Sequence, residues 1–279
     1  MRDFSNDTSL LSLNTATVRA QWSLEDCIAG CARHGIGGIA PWRDKLAECG
    51  VTKAAGLIRD AGLHVSGLCR GGMFPAATAA GRAAALDDNR RAVDDAAEIG
   101  AACLILVVGG LPEGSKDITD ARSQVQDGIA ATLEHARAVG MPLAIEPLHP
   151  MYAADRACVN TLKQANDMCE ALGEGVGVAV DIYHLWWDPD LEAEIARAGA
   201  AGRILAFHVC DWLVPTTDLL LDRGMMGDGV IDIPRIRGWV EAAGFDGASE
   251  VEIFSVNNWW KRDADEVLKT CIERHQTVV

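Results

Sequence analysis

The chain of 279 residues is narrowed first by what it lacks. No apolar run reaches the roughly 18 residues that a membrane-spanning helix needs, so no membrane partner is expected. The opening MRDFSNDTSLLSLNTATVRA has no apolar stretch between a basic start and a small-residue cleavage site, so no secretory signal is expected and the reading is cytoplasmic. Basic residues are scarce: 25 Lys and Arg stand against 40 Asp and Glu, a formal net charge of −15. A protein that follows phosphate backbones needs a basic surface, so nucleic acid is disfavoured as a partner. The nine cysteines are odd in number and form no framework, which fits reduced thiols better than disulfides. Cys27 and Cys31 would be neighbours on a helix, but no second pair follows, so core packing is preferred to metal binding. Low-complexity segments and linkers are absent too, and 49% hydrophobic residues can bury a sizeable core. Residues 1–279 are therefore read as a single domain.

What is present is alternation. Strand-like runs are LLSLNTA, IGGIAPW, LHVSGLC, AACLILVVGG, MPLAIEPL, VGVAVDIY, RILAFHVCD and ASEVEIF. Between them the pattern predicts helices over 23–34, 51–61, 81–99, 118–139, 160–172, 190–199, 233–243 and 263–275. Several end in glycine before the next strand, and Ser23, Asp117, Asn160 and Asp263 stand near helix starts as N-caps should. Eight strands each followed by a helix read as an α/β fold, a (β/α)8 TIM barrel. An open doubly wound sheet would usually show a glycine-rich phosphate turn after its first strand, and none follows LSLNTA.

In a barrel, reactive groups come from the C-terminal ends of strands. Four consecutive strands finish on a polar residue able to bind metal: Glu146 in LAIEP, Asp181 in VAVDIYH, His208 in LAFHVCD and Glu252 in EVEIF. Counting back by two from the first three gives Ala144, then Ala179 and Gly177, then Ala206. The intervening positions hold Leu143, Ile145, Val178, Val180, Leu205 and Phe207. The polar residue thus shares a face with small residues, while bulky residues take the face under the helices. A lone acid at a strand end is usually a helix cap or an ion-pair partner, and a lone histidine usually structural. Four buried polar groups without partners would each cost about 2 kcal/mol or more, so one shared partner is the simplest explanation. Two glutamates, one aspartate and one histidine suit one divalent metal ion, with Mn²⁺ first and Mg²⁺, Co²⁺ or Zn²⁺ as the other candidates. Glu250 has the same parity as Glu252 and replaces it if the register is off by two.

The stretches IEPLH, VDIYH, FHVCD, GDGVID and VEIF resemble the xylose isomerase-like TIM-barrel superfamily, in particular its sugar isomerase/epimerase branch with the ketose 3-epimerases. The resemblance covers nearly the whole chain. It implies that Glu146, Asp181, His208 and Glu252 bind one divalent ion, and that His184 and Arg223 contact substrate oxygens. It also implies a sugar or polyol substrate. Histidine at 149, where the ketose 3-epimerases carry asparagine, departs from their pattern.

That set could polarise a carbonyl, stabilise an enediolate, and let Glu146 and Glu252 act as acid and base. Return of the proton to the same carbon is epimerisation, and to the adjacent carbon isomerisation. Loss of a β-hydroxyl is dehydration, so a dehydratase or lyase acting on an inosose or keto-sugar is the runner-up. A non-catalytic sugar-binding subunit would not need both glutamates. A phosphodiesterase of the same superfamily would need further histidines on the early strands, which end in APWRD, LCRGGMF and VVGGLP. Asp181 and His184 can share a site only if the chain turns between them. For Arg223 the alternative is a surface ion pair with Asp222.

Eight Trp against five Phe and two Tyr is an unusual balance, and Trp42, Trp186, Trp187, Trp212, Trp259 and Trp260 fall just past strands. Their faces suit the C–H faces of sugars or, alternatively, a contact between copies in a homo-oligomer. Trp186, Trp212 and His149 are the candidates for substrate contact, and Asp211 and Asp228 for orienting His208 or Arg223. No phosphate site is evident, which favours an unphosphorylated sugar. His34, His64, His135 and His275 are read as structural.

Overall fold

Local start and stop signals agree with the hydrophobic pattern, which is why the predicted elements form. The Ser23 hydroxyl accepts the Asp26 N–H while the Asp26 carboxylate accepts the Ser23 N–H, opening the helix Leu24–His34, and Gly35 closes it at φ 72°. Thr161 and Gln164 cap Leu162–Leu172 in the same reciprocal way. Each such cap contributes about 1 kcal/mol.

The computed structural model describes residues 2–279. Its strands are β1 (Leu11–Asn14), β2 (Gly38–Ala40), β3 (His64–Val65), β4 (Leu68–Gly72), β5 (Leu104–Val107), β6 (Leu143–Ile145), β7 (Val176–Asp181), β8 (Ile204–Val209), β9 (Asp211–Trp212), β10 (Arg223–Gly224) and β11 (Ser249–Val251). Nine of them make one sheet in the order β3-β2-β1-β11-β8-β7-β6-β5-β4. β3 and β4 are successive pieces of one run of chain, and they sit at the two ends of that order. β3 bonds to β2 and β4 to β5, so the ring closes into eight parallel barrel strands wrapped by helices. This is the expected (β/α)8 barrel. β9 and β10 form an antiparallel hairpin over its C-terminal face. The hairpin and the helix Arg43–Cys49 are additions to the predicted elements.

The predicted alternation of small and bulky residues sorts the core into two parts. Cys69, Cys103, Ile105, Ala144, Ala179 and Ala206 fill the barrel interior. Leu143, Ile145, Val178, Val180 and Phe207 pack between sheet and helices. Leu205 departs from its expected face and packs against the interior set. The β7–β8 register shifts beside Val178, which puts Leu205 out of step. The small interior residues leave room above them for long polar side chains. Cys27 and Cys31 are both buried in the outer core, as core packing requires. No helix among the described residues is long and apolar enough to cross a membrane.

The four histidines read as structural lie outside the site. His34 pairs with Asp265 at 2.6 Å and His135 with Asp94 at 2.7 Å. His64 begins β3. His275 is fully buried and stacks on Phe4 with ring centroids 4.3 Å apart. Burial, with the Arg237 guanidinium second, pushes it down from 6.5 to about 4. Between those pH values the unfolded chain takes up a proton that the folded one refuses. Stability present above pH 6.5 is therefore lost as pH falls toward 4, by about 3 kcal/mol. Denaturant titrations of the wild type and His275→Phe across pH 7 to 4 should show this loss in the wild type and a smaller one in the variant.

Candidate active site

The four strand-end residues meet. Asp181 closes β7 and pairs in register with His208 on β8. Glu146 and Glu252 each stand one residue past a strand, and each still donates its N–H across the sheet, to Leu106 and Val209 at 3.2 Å. One donor atom from each of the four side chains lies within 4.8 Å of the others. All four are buried, the most exposed at 5%.

The required turn after β7 is present. Asp181 Oδ1 accepts the Tyr183 N–H at 2.8 Å and caps the short helix Ile182–Leu185. The other oxygen, Oδ2, is left facing the site. That turn carries His184 back until its Nε2 lies 3.7 Å from Asp181 Oδ2.

Arg223 arrives on the β9–β10 hairpin and is only 3% exposed, so it makes no surface pair with Asp222. Asp222 instead accepts from the N–H and hydroxyl of Thr217. The Arg223 Nη1 donates to Glu252 Oε2 at 3.1 Å and to Asp181 Oδ2 at 3.4 Å. Its guanidinium lies 4.3 Å from the Tyr183 ring centroid and 5.1 Å from that of Phe254. Nη2 lies 3.2 Å from His184 Nε2. A guanidinium only donates, so Nε2 accepts and the His184 proton sits on Nδ1. Burial first and then Arg223 hold His184 well below the usual range, hence neutral. Its buried Nδ1 has no protein partner.

Charge is unevenly balanced here. Four buried carboxylates, Glu146, Asp181, Glu250 and Glu252, surround one arginine and one histidine. Burial pushes Glu252 up to about 7 against the pull of Arg223, with the nearby Glu146 charge adding to the rise. It likewise pushes Asp181 up to about 6, again against Arg223. Burial alone would lower His208, but Glu250 at 3.5 Å and Glu146 at 2.9 Å outweigh it and hold the imidazole well above its usual range. Neither ring nitrogen of His208 makes an aligned hydrogen bond. Converging carboxylate oxygens around a buried imidazole with unsatisfied nitrogens suit a divalent cation with mixed oxygen and nitrogen ligands. The residues fit the group.

A second layer holds this set in place. Asn14, at the end of β1, donates its Nδ2 hydrogens to Glu250 at 2.7 Å and to Glu252 Oε1 at 3.0 Å. Trp42 Nε1 donates to the same Glu252 oxygen at 3.3 Å. Ser66 donates to Glu250 at 2.7 Å. Glu250 therefore anchors His208 from below, while Glu252 faces the cavity as expected. Asn14→Asp would replace a shared donor with another acid. It should lower kcat about 10- to 100-fold with little change in fold, read by steady-state kinetics beside a circular dichroism melt.

A cavity of about 310 Å³ opens over the site, with Glu146, His184, Arg223 and Glu252 in its wall. Its aromatic walls are Trp42, Tyr152, Phe254 and Trp260. Arg19, Arg70 and Arg156 complete it. A larger cavity of about 550 Å³ lies at the opposite, N-terminal end of the barrel, lined by Leu10, Ile58, Leu63, Phe207 and Phe245 among others. It is mostly apolar and holds none of the four converging residues.

Five expected site residues sit elsewhere. His149 Nδ1 accepts the Met151 N–H at 3.3 Å, which turns its ring away from the cavity and onto Trp212, 5.0 Å away. Trp212 also packs on Tyr183 and on Trp186, at 4.9 and 5.8 Å. His149, Trp186 and Trp212 thus tie loops together behind the cavity wall. Asp211 accepts the N–H groups of Trp212, Gly227, Gly229 and Ile231 and so shapes the 227–231 loop. Asp228 pairs with Arg274 at 3.4 Å. Neither aspartate touches His208 or Arg223. Asn14, Arg70 and Arg156 are unexpected in the site: Asn14 ends β1, Arg70 lies within β4, and Arg156 lies in the loop after β6. Trp42 and Trp260 carried a visible signal in their position just past strands.

The sequence pattern of the xylose isomerase-like TIM-barrel family matches residues 28–271. Protein SMc04130 from Sinorhizobium meliloti 1021 is 64% identical, and its crystal structure superposes with a TM-score of 0.96 over 98% of this chain and 99% of that one. A crystal structure of an IolI protein with a bound zinc atom is 20% identical, with a TM-score of 0.84 over 96% and 97% of the two chains. The curated inosose isomerase of Halalkalibacterium halodurans is 26% identical over 150 residues, 52% of this chain. That match spans about half, 51%, of the relative's length.

Proposed function

The chain belongs to the xylose isomerase-like TIM-barrel family, and on that premise we propose that it is a divalent-metal-dependent sugar isomerase or epimerase acting on a keto-sugar or related polyol. The observation that carries this reading is the convergence of Glu146 and Glu252 with Asp181 and His208 in one buried set under a cavity. The inosose isomerase relative and the zinc in the IolI structure support the substrate class and the ion.

Held by Glu146, Asp181, His208 and Glu252, a divalent ion would supply positive charge against the enediolate that forms when a proton leaves the carbon beside a carbonyl. Mn²⁺ is the ion proposed. The two glutamates differ in how they are held. Glu252 is fixed on both oxygens, by Asn14 and Trp42 on Oε1 and by Arg223 on Oε2. Glu146 pairs with His208 through Oε1, and its Oε2 makes no hydrogen bond among the described residues. One glutamate takes the proton and the other returns one from a different direction, which is the arrangement a carbon acid needs for inversion or for transfer to the next carbon. His184, in the cavity wall, is the neutral imidazole available to contact a substrate oxygen. Arg223 positions Glu252 and Asp181 while adding a fixed positive charge.

The test is product analysis. With Mn²⁺, the protein should convert at least one member of a panel of D-fructose, D-psicose, D-tagatose, 2-keto-myo-inositol and their carboxylated or phosphorylated counterparts into an epimer or isomer. Release of water in place of an isomer would make it a dehydratase. No conversion of these compounds or of their carboxylated or phosphorylated counterparts would overturn the reading.

A further inference from the structure

In a chain with 40 acidic and 25 basic residues, arginines at the cavity rim have ample choice of partners. Two of the four use it: Arg19 pairs with Asp44, and Arg223 with Asp181 and Glu252. Arg70 and Arg156 do not: among the described residues neither guanidinium makes a hydrogen bond or an ion pair. Both are partly buried, and both line the cavity over the catalytic set.

They also line a second hollow of about 260 Å³, with Met73, Val107 and Asp155. Arg70, Val107 and Arg156 are common to the two, so this hollow is a side extension of the main cavity. Asp155 is exposed and pairs with neither arginine. Asp88, the acid nearest in effect to Arg70, is already held by two bonds from Arg43, at 2.9 and 3.1 Å. Burial holds Arg70 below the usual arginine range, and the neighbouring Arg156 charge adds to that lowering. Two like-charged guanidinium groups are thus held beside one partly buried hollow, and although Asp155 also lines it, neither guanidinium pairs with a protein anion among the described residues. Such a pair is costly alone and is relieved by an anionic ligand, whose oxygens match the planar donor fork.

We propose that the substrate carries an anionic group, a carboxylate or a phosphate, which Arg70 and Arg156 bind while its carbonyl end lies over Glu146 and Glu252. This rests on the proposed isomerase or epimerase reading and narrows its substrate class from neutral sugars to keto-sugar acids or keto-sugar phosphates. A carboxylate would keep the expectation of an unphosphorylated sugar drawn from the sequence, and a phosphate would replace it.

The experiment uses the Mn²⁺-supplemented protein and three matched probes: D-fructose, D-fructuronate and D-fructose 6-phosphate. Binding is read by calorimetry, and C–H exchange by proton NMR in D₂O. At least one charged probe should bind ten-fold or more tightly than D-fructose, and the preferred one identifies carboxylate or phosphate. Arg70→Gln and Arg156→Gln should each weaken that probe ten-fold or more while changing D-fructose less than two-fold. Arg156→Lys, which keeps the charge without the fork, should fall between, and thermal melts confirm that each variant folds. D-fructose binding as tightly as both charged probes, equal weakening of all three in the variants, or no binding of either charged probe would overturn the inference. Exchange on D-fructose without a charge preference would leave the enediolate reading standing and remove only this one. A charge preference without exchange on any probe would do the reverse.

Discussion

Glu146→Gln is expected to lower kcat by on the order of 10²- to 10⁴-fold, the range for loss of a proton-transferring group. It is the cleaner of the two glutamate substitutions. Glu146 has one ion pair, with His208 at 2.9 Å, and no hydrogen bond from a fixed donor, so an amide there disturbs little besides that pair, proton transfer and metal ligation. Glu252→Gln should be at least as damaging for an added reason. The Glu252 Oε2 receives the Arg223 Nη1 at 3.1 Å, and an amide NH₂ in its place would face that donor with another donor. Metal content measured beside kcat separates the two contributions. A Glu146→Gln protein that binds metal yet does not turn over has lost its acid or base, whereas one without metal has lost a ligand. Full activity in either variant would contradict the roles given to both residues.

Removal of metal should have the other large effect. Exhaustive chelation is expected to leave less than about 1% of turnover, and Mn²⁺ or Co²⁺ should restore it. The same ion should stabilise the fold. Four carboxylates are buried here, and burial pushes Glu252 and Asp181 up to about 7 and about 6, so a cation among them relieves a cost that the unfolded chain does not bear. At 100 times its dissociation constant, an ion that binds only the folded chain adds about 2.7 kcal/mol, or several degrees in Tm. Differential scanning calorimetry with and without Mn²⁺ checks this. Turnover and Tm indifferent to chelation would exclude the ion from both roles.

Much of the site is visible in the sequence because strand parity and barrel geometry act over short distances. Alanine two residues before Glu146, Asp181 and His208 marks the inward face, and the structure places Ala144, Ala179 and Ala206 in the barrel interior. The turn between Asp181 and His184 is what their spacing requires if the two are to share a site. Other features depend on contacts that no local pattern records. Asn14 reaches Glu252 across 238 positions only because the barrel closes β1 against β11. Glu250 has the parity of Glu252, but its pairing with His208 on β8 makes it an anchor, a matter of register between strands. His149, Trp186 and Trp212 lie at the right end of the barrel and still miss the cavity, because loop torsions direct their rings. Arg70 and Arg156 lie 86 positions apart, and only the fold shows that neither finds an acid.

The central claim is that this set breaks a C–H bond beside a carbonyl, and solvent isotope exchange reads that step without needing to know the product. The Mn²⁺-supplemented protein, incubated in D₂O with its best-bound keto compound, should replace one proton on the carbon next to the carbonyl. The NMR signal should disappear within many turnovers in the wild type and persist in Glu146→Gln and after chelation. A wild type that converts its substrate while keeping that proton, with no deuterium entering at any carbon, would contradict the account.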